Sequence, residues 1–157
     1  MSSYANFYIR VNDKFAPIGT YSRSTDMYQN FYDILPYEKL VALTPLKLHD
    51  VILSTQKKIH FFSETIMENQ ELRDQFLNAK NISFEDKRIA VEEFNTAIHE
   101  LEEEIDNLQN VINYVRVFLN IIDDYRYSGI SFENDYEHYL YAGIEVCGKM
   151  DEIIDEN

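Results

Sequence analysis

The chain has 157 residues, a formal net charge of −14, 45% hydrophobic residues and a single cysteine. That length fits one domain able to bury a core without disulfides or metal, and the lone Cys147 excludes an intrachain disulfide framework and suits a reducing compartment. The sign of the charge excludes a protein that grips nucleic acid through a basic surface of its own.

The acids are unevenly placed. Residues 1–83 hold nine acids and nine bases, whereas residues 84–157 hold nineteen acids and five bases and so carry the whole net charge. The longest apolar run, Val117 to Ile122, is interrupted by Asn120, so no membrane span is expected. The first residues lack the basic and apolar regions of a signal peptide, and the expected location is cytoplasmic.

In chain order, residues 4–22 predict a β-hairpin. Phe7, Ile9 and Val11 alternate with Tyr8 and Arg10, Asn12-Asp13-Lys14 turn, and Phe15 to Tyr21 return. Pro17 removes a ladder donor, which places the second strand at an edge or at a bulge. Ser24-Thr25-Asp26 predicts the cap of a short helix over Asp26 to Leu35 with Met27, Phe31 and Ile34 on one face, ended by Pro36. A linker with Leu40, Val41 and Leu43 leads to Thr44-Pro45, a cap followed by proline at the first helical position.

Two long helices follow, over Pro45 to Ala79 and Phe84 to Arg126. In the second, Val91, Phe94, Ile98, Leu101, Ile105, Leu108, Ile112, Val115, Leu119 and Ile122 alternate spacings of three and four, a heptad seam. The first has a matching seam at Leu48, Ile52, Ile59, Phe62, Ile66 and Phe76, weakened by Thr55, Asn69 and Arg73. The short link Lys80-Asn81-Ile82-Ser83 implies an antiparallel helical hairpin. If it is centred near 81–82, residue i faces residue 163−i, give or take one, so Phe62 lies by Leu101 and Ile59 by Ile105. Beyond Gly129, alternation through His138, Leu140, Ala142, Ile144 and Val146 favours a strand, with a helix from Phe132 as the competitor. All twelve tyrosines fall in residues 4–37 or 114–141.

The expected fold is therefore α+β. A small antiparallel sheet head is built from the N-terminal hairpin and a C-terminal strand (residues 1–44 and 114–157), with a long coiled-coil helical hairpin as stalk (45–113), all within one domain.

Sequence motifs for catalysis are missing: no P-loop, GxGxxG, HExxH, CxxC or GxSxG occurs. His60 and Glu64 on one helix and His99 and Glu103 on the other superficially resemble a metal site, but all four fall at outward b or f positions, so no metal or other cofactor is expected. Asp123 and Asp124 point about 100° apart on a helix and do not form a shared acid–base pair. His49, His138 and Cys147 are read as packing or surface residues. The expectation is a non-enzymatic protein.

The remaining signal is the run Glu92, Glu93, Glu100, Glu102, Glu103, Glu104 and Asp106, which contains no Lys or Arg. Seven carboxylates over about 21 Å of helix approach the spacing of one phosphate per about 3.4 Å along a DNA strand. The expected partner is a protein with a basic surface, such as the nucleic-acid channel of a nuclease, occupied by this face as a nucleic-acid mimic. Small acidic viral anti-defence proteins are comparable in charge and size only. The competing readings are an ordinary solvated face and a coiled-coil adaptor that assembles as an oligomer, for instance a homodimer. Direct nucleic-acid and membrane contacts are not expected.

Overall fold

A computed structural model describes residues 2–11, 14–127 and 140–146. Strands β1 (Ser3–Val11), β2 (Lys14–Ser22), β3 (Val41–Ala42) and β4 (Leu140–Val146) form one antiparallel sheet in the order β2-β1-β4-β3. The N-terminal hairpin and the C-terminal strand thus share a sheet, as the alternation predicts. Of the segment 132–147 whose state was ambiguous, 140–146 is strand and the rest lies outside the described residues.

Pro17 behaves in both of the ways open to it. It lies on the edge strand and beside an irregularity: Phe7 pairs with Gly19 but Tyr8 pairs with Pro17, leaving Ile18 as the extra residue of a bulge. Gly19 leaves room for the Tyr21 ring, which would have to shift if a β-carbon stood there, 2.9 Å away.

Helix α1 (Asp26–Phe31) is capped by Thr25, whose hydroxyl accepts from the Tyr28 amide. It is shorter than the sequence suggests. Beyond Phe31 the chain tightens, with the Ile34 and Leu35 amides both donating to the Phe31 carbonyl, and Leu35 rather than Ile34 is buried. The expected linker is also more ordered than its composition implies. Pro36 and Glu38 bond the backbone of Ile144, the chain reverses at Glu38 in a left-handed conformation (φ 53°), and Val41–Ala42 returns as β3. This segment covers the β4 edge, which an exposed strand would otherwise offer for aggregation.

Helices α2 (Pro45–Asn78) and α3 (Phe84–Tyr127) start where their caps predict. The Thr44 hydroxyl accepts from the Lys47 amide, and the Ser83 hydroxyl from the Asp86 amide. Among the described residues, no helix is long and apolar enough to cross a membrane.

The chain divides into two compact units, Met1–Ser54 with Val111–Asn157, and Thr55–Asn110. In the first, the sheet unit, Phe7 on the central strand is fully buried and meets Phe118 at 4.9 Å, Phe31 at 5.0 Å and Tyr21 at 5.7 Å. Leu48, Val51, Ile52, Val111, Ile112, Val115 and Ile122 are buried in the same unit. On the other face of the sheet Phe15 sits edge-on to both Tyr8 and Tyr141. There Asn6, 3% exposed, donates to Glu145 at 2.7 Å while its own side-chain oxygen is buried without a hydrogen-bond partner among the described residues.

In the second, the hairpin unit, the seam residues Ile98 and Leu108 are buried, and Leu101 and Ile105 half-buried. Half-burial is what two helices alone achieve, because solvent reaches each seam side chain from the flanks. Thr55, read as a weak point, is fully buried in the seam row.

Near the loop the helix pairing meets the expected one: Lys87 donates to the Leu77 carbonyl at 3.0 Å, within one residue of the expected partner. Two side-chain contacts reach beyond it, Phe76 packing on Phe94 with ring centroids 6.4 Å apart and Arg73 donating to the Asn95 side chain at 2.9 Å. The cause is side-chain direction: helical side chains lean toward their own N-terminus, so in an antiparallel pair their tips meet several positions beyond the point where the backbones are level.

Candidate functional site

The acidic run lies on α3 within the hairpin unit. With Ile98 and Ile105 at the a positions of the seam, Glu92, Glu93, Glu100, Glu103 and Asp106 fall at b, c and f and Glu102 at e; all six are exposed. Glu104, at g, is half-buried and engaged within the protein, as is Lys58. The helix thus presents six of the seven predicted side chains to solvent along about four turns and holds the seventh against its flank.

Electrostatically the face is not uniform. Arg88, one turn before the run, bridges Glu85 and Glu92, at 2.8 Å to the latter. The hydrogen bond with Arg88 holds the Glu85 carboxyl below its ordinary range, and the same bond, followed by the charge of Glu92, raises the guanidinium. His99 meets Glu103 at 3.0 Å one turn away. Glu93, Glu100, Glu102 and Asp106 have no cation paired with them among the described residues. These four are the concentrated negative charge.

A shallow groove of about 470 Å³ runs along the start of the face, lined by Ile89, Glu92, Glu93, Thr96, Ala97 and Glu100. Its lining repeats at helical spacing, so carboxylates flank the small or apolar side chains Ile89, Thr96 and Ala97. The carboxylate run alone did not point to this floor, although Ile89 at an outward f position, 43% exposed, was legible as an apolar residue on a polar face.

The four-residue metal constellation dissolves into two separate surface pairs. His60 meets Glu64 at 3.0 Å and His99 meets Glu103 at 3.0 Å, each within its own helix and each side chain at least 60% exposed. Among the described residues no group of three or more metal-ligating side chains gathers. Asp123 is exposed near the end of α3, the Asp124 side chain and His138 lie outside the described residues, and His49 is exposed on the first turn of α2.

The tyrosines divide between packing and surface. Tyr8 and Tyr28 are buried, with the Tyr28 hydroxyl 3.0 Å from that of Ser3; Tyr32, Tyr37 and Tyr114 are exposed. Tyr37 donates to the Tyr32 hydroxyl at 2.9 Å, and that bond first, then desolvation, pushes the Tyr37 phenol up to about 12. Burial, then the charge of Tyr114 beside it, raises Tyr21.

Comparison with protein families, with characterised proteins and with solved structures returns no match for this chain.

Proposed function

We propose that the protein is a non-enzymatic binding protein whose α3 face occupies a basic groove on another protein, and that an inhibitor of a nucleic-acid-processing protein is the sharpest form of that role. One observation carries the reading: Glu93, Glu100, Glu102 and Asp106 stand exposed on a single helix, without a paired cation among the described residues. Fixed on a helix, their charges need little ordering on binding, and their field steers a basic partner into encounter. The cytoplasm is the compartment that suits this role and the single cysteine.

The test is competition. Fluorescence anisotropy of a labelled DNA duplex bound to a panel of nucleases with basic channels would follow displacement by this protein. The parent is expected to displace the duplex from at least one nuclease, with potency falling steeply as salt is added. The variant carrying Glu92→Gln, Glu93→Gln, Glu100→Gln, Glu103→Gln and Asp106→Asn is expected to lose displacement while keeping its helicity. Equal potency and equal salt slope for parent and variant would refute the reading.

A second reading, an adaptor that assembles through its coiled coil, is favoured by a different observation: large apolar side chains left exposed at the closed end of the hairpin.

A further inference from the structure

Two stretches of α3 repeat one arrangement with its middle residue changed. In the first, Glu85, Arg88 and Glu92 stand at positions i, i+3 and i+7, and the Arg88 guanidinium bridges the two carboxylates. Its Nε donates to Glu85 at 3.2 Å, one Nη donates to the other oxygen of Glu85, and the second Nη donates to Glu92 at 2.8 Å. In the second, Glu93, Thr96 and Glu100 stand at the same spacings. Both stretches lie on one continuous helix, so the two glutamates have the same backbone relation, about 10.5 Å apart along the axis. Thr96 stands where the first stretch has its arginine, and its hydroxyl is spent on the Glu92 carbonyl at 2.9 Å. The groove of about 470 Å³ lies here, with Ile89, Thr96 and Ala97 beside Glu92, Glu93 and Glu100.

We propose, on the footing that α3 is the binding face, that Glu93 and Glu100 with the groove between them receive an arginine side chain of the partner protein. The chain itself supplies the first reason for arginine. Arg88 shows that a guanidinium bridges carboxylates at this spacing on this helix, using three nitrogens held in one plane. A lysine ammonium is a single point charge and cannot present that fork. The second reason is the groove lining. Ile89, 43% exposed, and the half-buried Ala97 offer a surface for the aliphatic stem of a long basic side chain, which a hydrated ion would not use. Charge agrees with both: Glu93 and Glu100 have no cation paired with them among the described residues, whereas Glu92 is held by Arg88. An arginine from outside repeats over Thr96 the bridge that Arg88 makes one row earlier.

Methyl NMR of the full chain tests it, because Ile89, Thr96 and Ala97 in the groove lining all carry methyl groups. The probes are octa-arginine and octa-lysine, equal in charge. Octa-arginine is expected to shift those methyl signals while that of Val117, exposed in the sheet unit, stays in place. It should also bind about fivefold more tightly than octa-lysine, as one further hydrogen bond would give. Thr96→Arg supplies the arginine from within, and its pairing with Glu93 and Glu100 supports the helix. Circular dichroism should therefore be unchanged, while the preference for octa-arginine and the Ile89 and Ala97 shifts are lost. Glu93→Gln together with Glu100→Gln should abolish the same preference. Equal binding of the two peptides, or a preference that survives Thr96→Arg, would overturn the proposal. Should that equal binding still weaken in the variant with five carboxylates neutralised, the acidic face stands as an interaction surface and the arginine site alone falls. Binding unchanged by that neutralisation overturns both.

Discussion

Phe7→Ala probes the sheet unit most directly. The ring is fully buried on the central strand and is closed in by Phe118 from α3, Phe31 from α1 and Tyr21 from β2. Emptying an aromatic core site costs about 3–5 kcal/mol, and each well-placed ring pair contributes about 0.5–1.5 kcal/mol of that kind of loss. Three separate elements hold the cavity open, so little relaxation is available and the expected loss is about 4–5 kcal/mol. In a chain of this size that lowers the midpoint by roughly 8–20 °C. Phe7→Leu, which keeps most of the volume and loses the ring geometry, should cost about 2 kcal/mol. The assay is urea unfolding followed by tyrosine fluorescence. The chain has no tryptophan and no tyrosine in residues 55–110, so the signal does not come from the hairpin unit. A double-mutant cycle with Phe118→Ala should give a coupling of about 1 kcal/mol. A loss below about 1 kcal/mol for Phe7→Ala, or no coupling to Phe118, would refute a core shared by β1 and α3.

Asn6→Asp sets a carboxylate where Asn6 now donates to Glu145 in a 3% exposed site, and should cost about 3 kcal/mol at neutral pH. Burial and mutual repulsion raise the new pair's folded pKa above its unfolded value, so the deficit should shrink as pH falls toward about 4; a deficit constant across that range would contradict the geometry. For Tyr37, raised to about 12, the stabilising contribution is present below the ordinary phenol pKa of about 10 and is lost as pH rises from there toward the folded value. Absorbance titration should show late phenol ionisation in the parent, and the Tyr32→Phe difference titration should move one phenol, that of Tyr37, back toward the ordinary range; no difference between parent and variant would show that the bond to Tyr32 is not its cause.

The elements that the sequence revealed are those whose signals are local. Caps at Thr44 and Ser83 marked the starts of both long helices because the cap hydroxyl accepts from the backbone amide three residues on, an interaction contained within four residues of sequence. The alternation around Leu140–Val146 exposed β4, although its partners lie far away in sequence. By contrast, β3 was hidden because Val41–Ala42 has no pattern of its own and is a strand only through the β4 edge beside it. Counting from the loop measures the backbones and places Lys87 by Leu77, but it does not give the side-chain contacts, because Phe76 and Phe94 meet at tips displaced toward opposite ends. At the candidate site the exposed carboxylates were legible from heptad positions alone. The Arg88 bridge was not, since Arg88 stands outside the run it neutralises, and the groove floor was missed because its residues are chemically bland.

The energetics of α3 bear on whether its acidic face is more than a solvated surface. Glu100–Glu104 and Glu102–Asp106 are like charges four apart, and Glu100–Glu103 and Glu103–Asp106 are three apart. At about 0.2–0.5 kcal/mol each, these four pairs oppose the helix by roughly 1–2 kcal/mol, whereas glutamates alternated with lysines at the same spacings would support it by a similar amount. The run lies well past the first turn of α3, so the helix dipole offers no compensation. The helix tolerates the repulsion because burial of Ile98 and Leu108, 7% and 1% exposed, outweighs it: at about 1.5–3 kcal/mol for each such side chain, either one alone is comparable to the whole electrostatic deficit. The binding role proposed for this face would account for a charge pattern that lowers the stability of its own helix and that a mixed-charge alternative would improve.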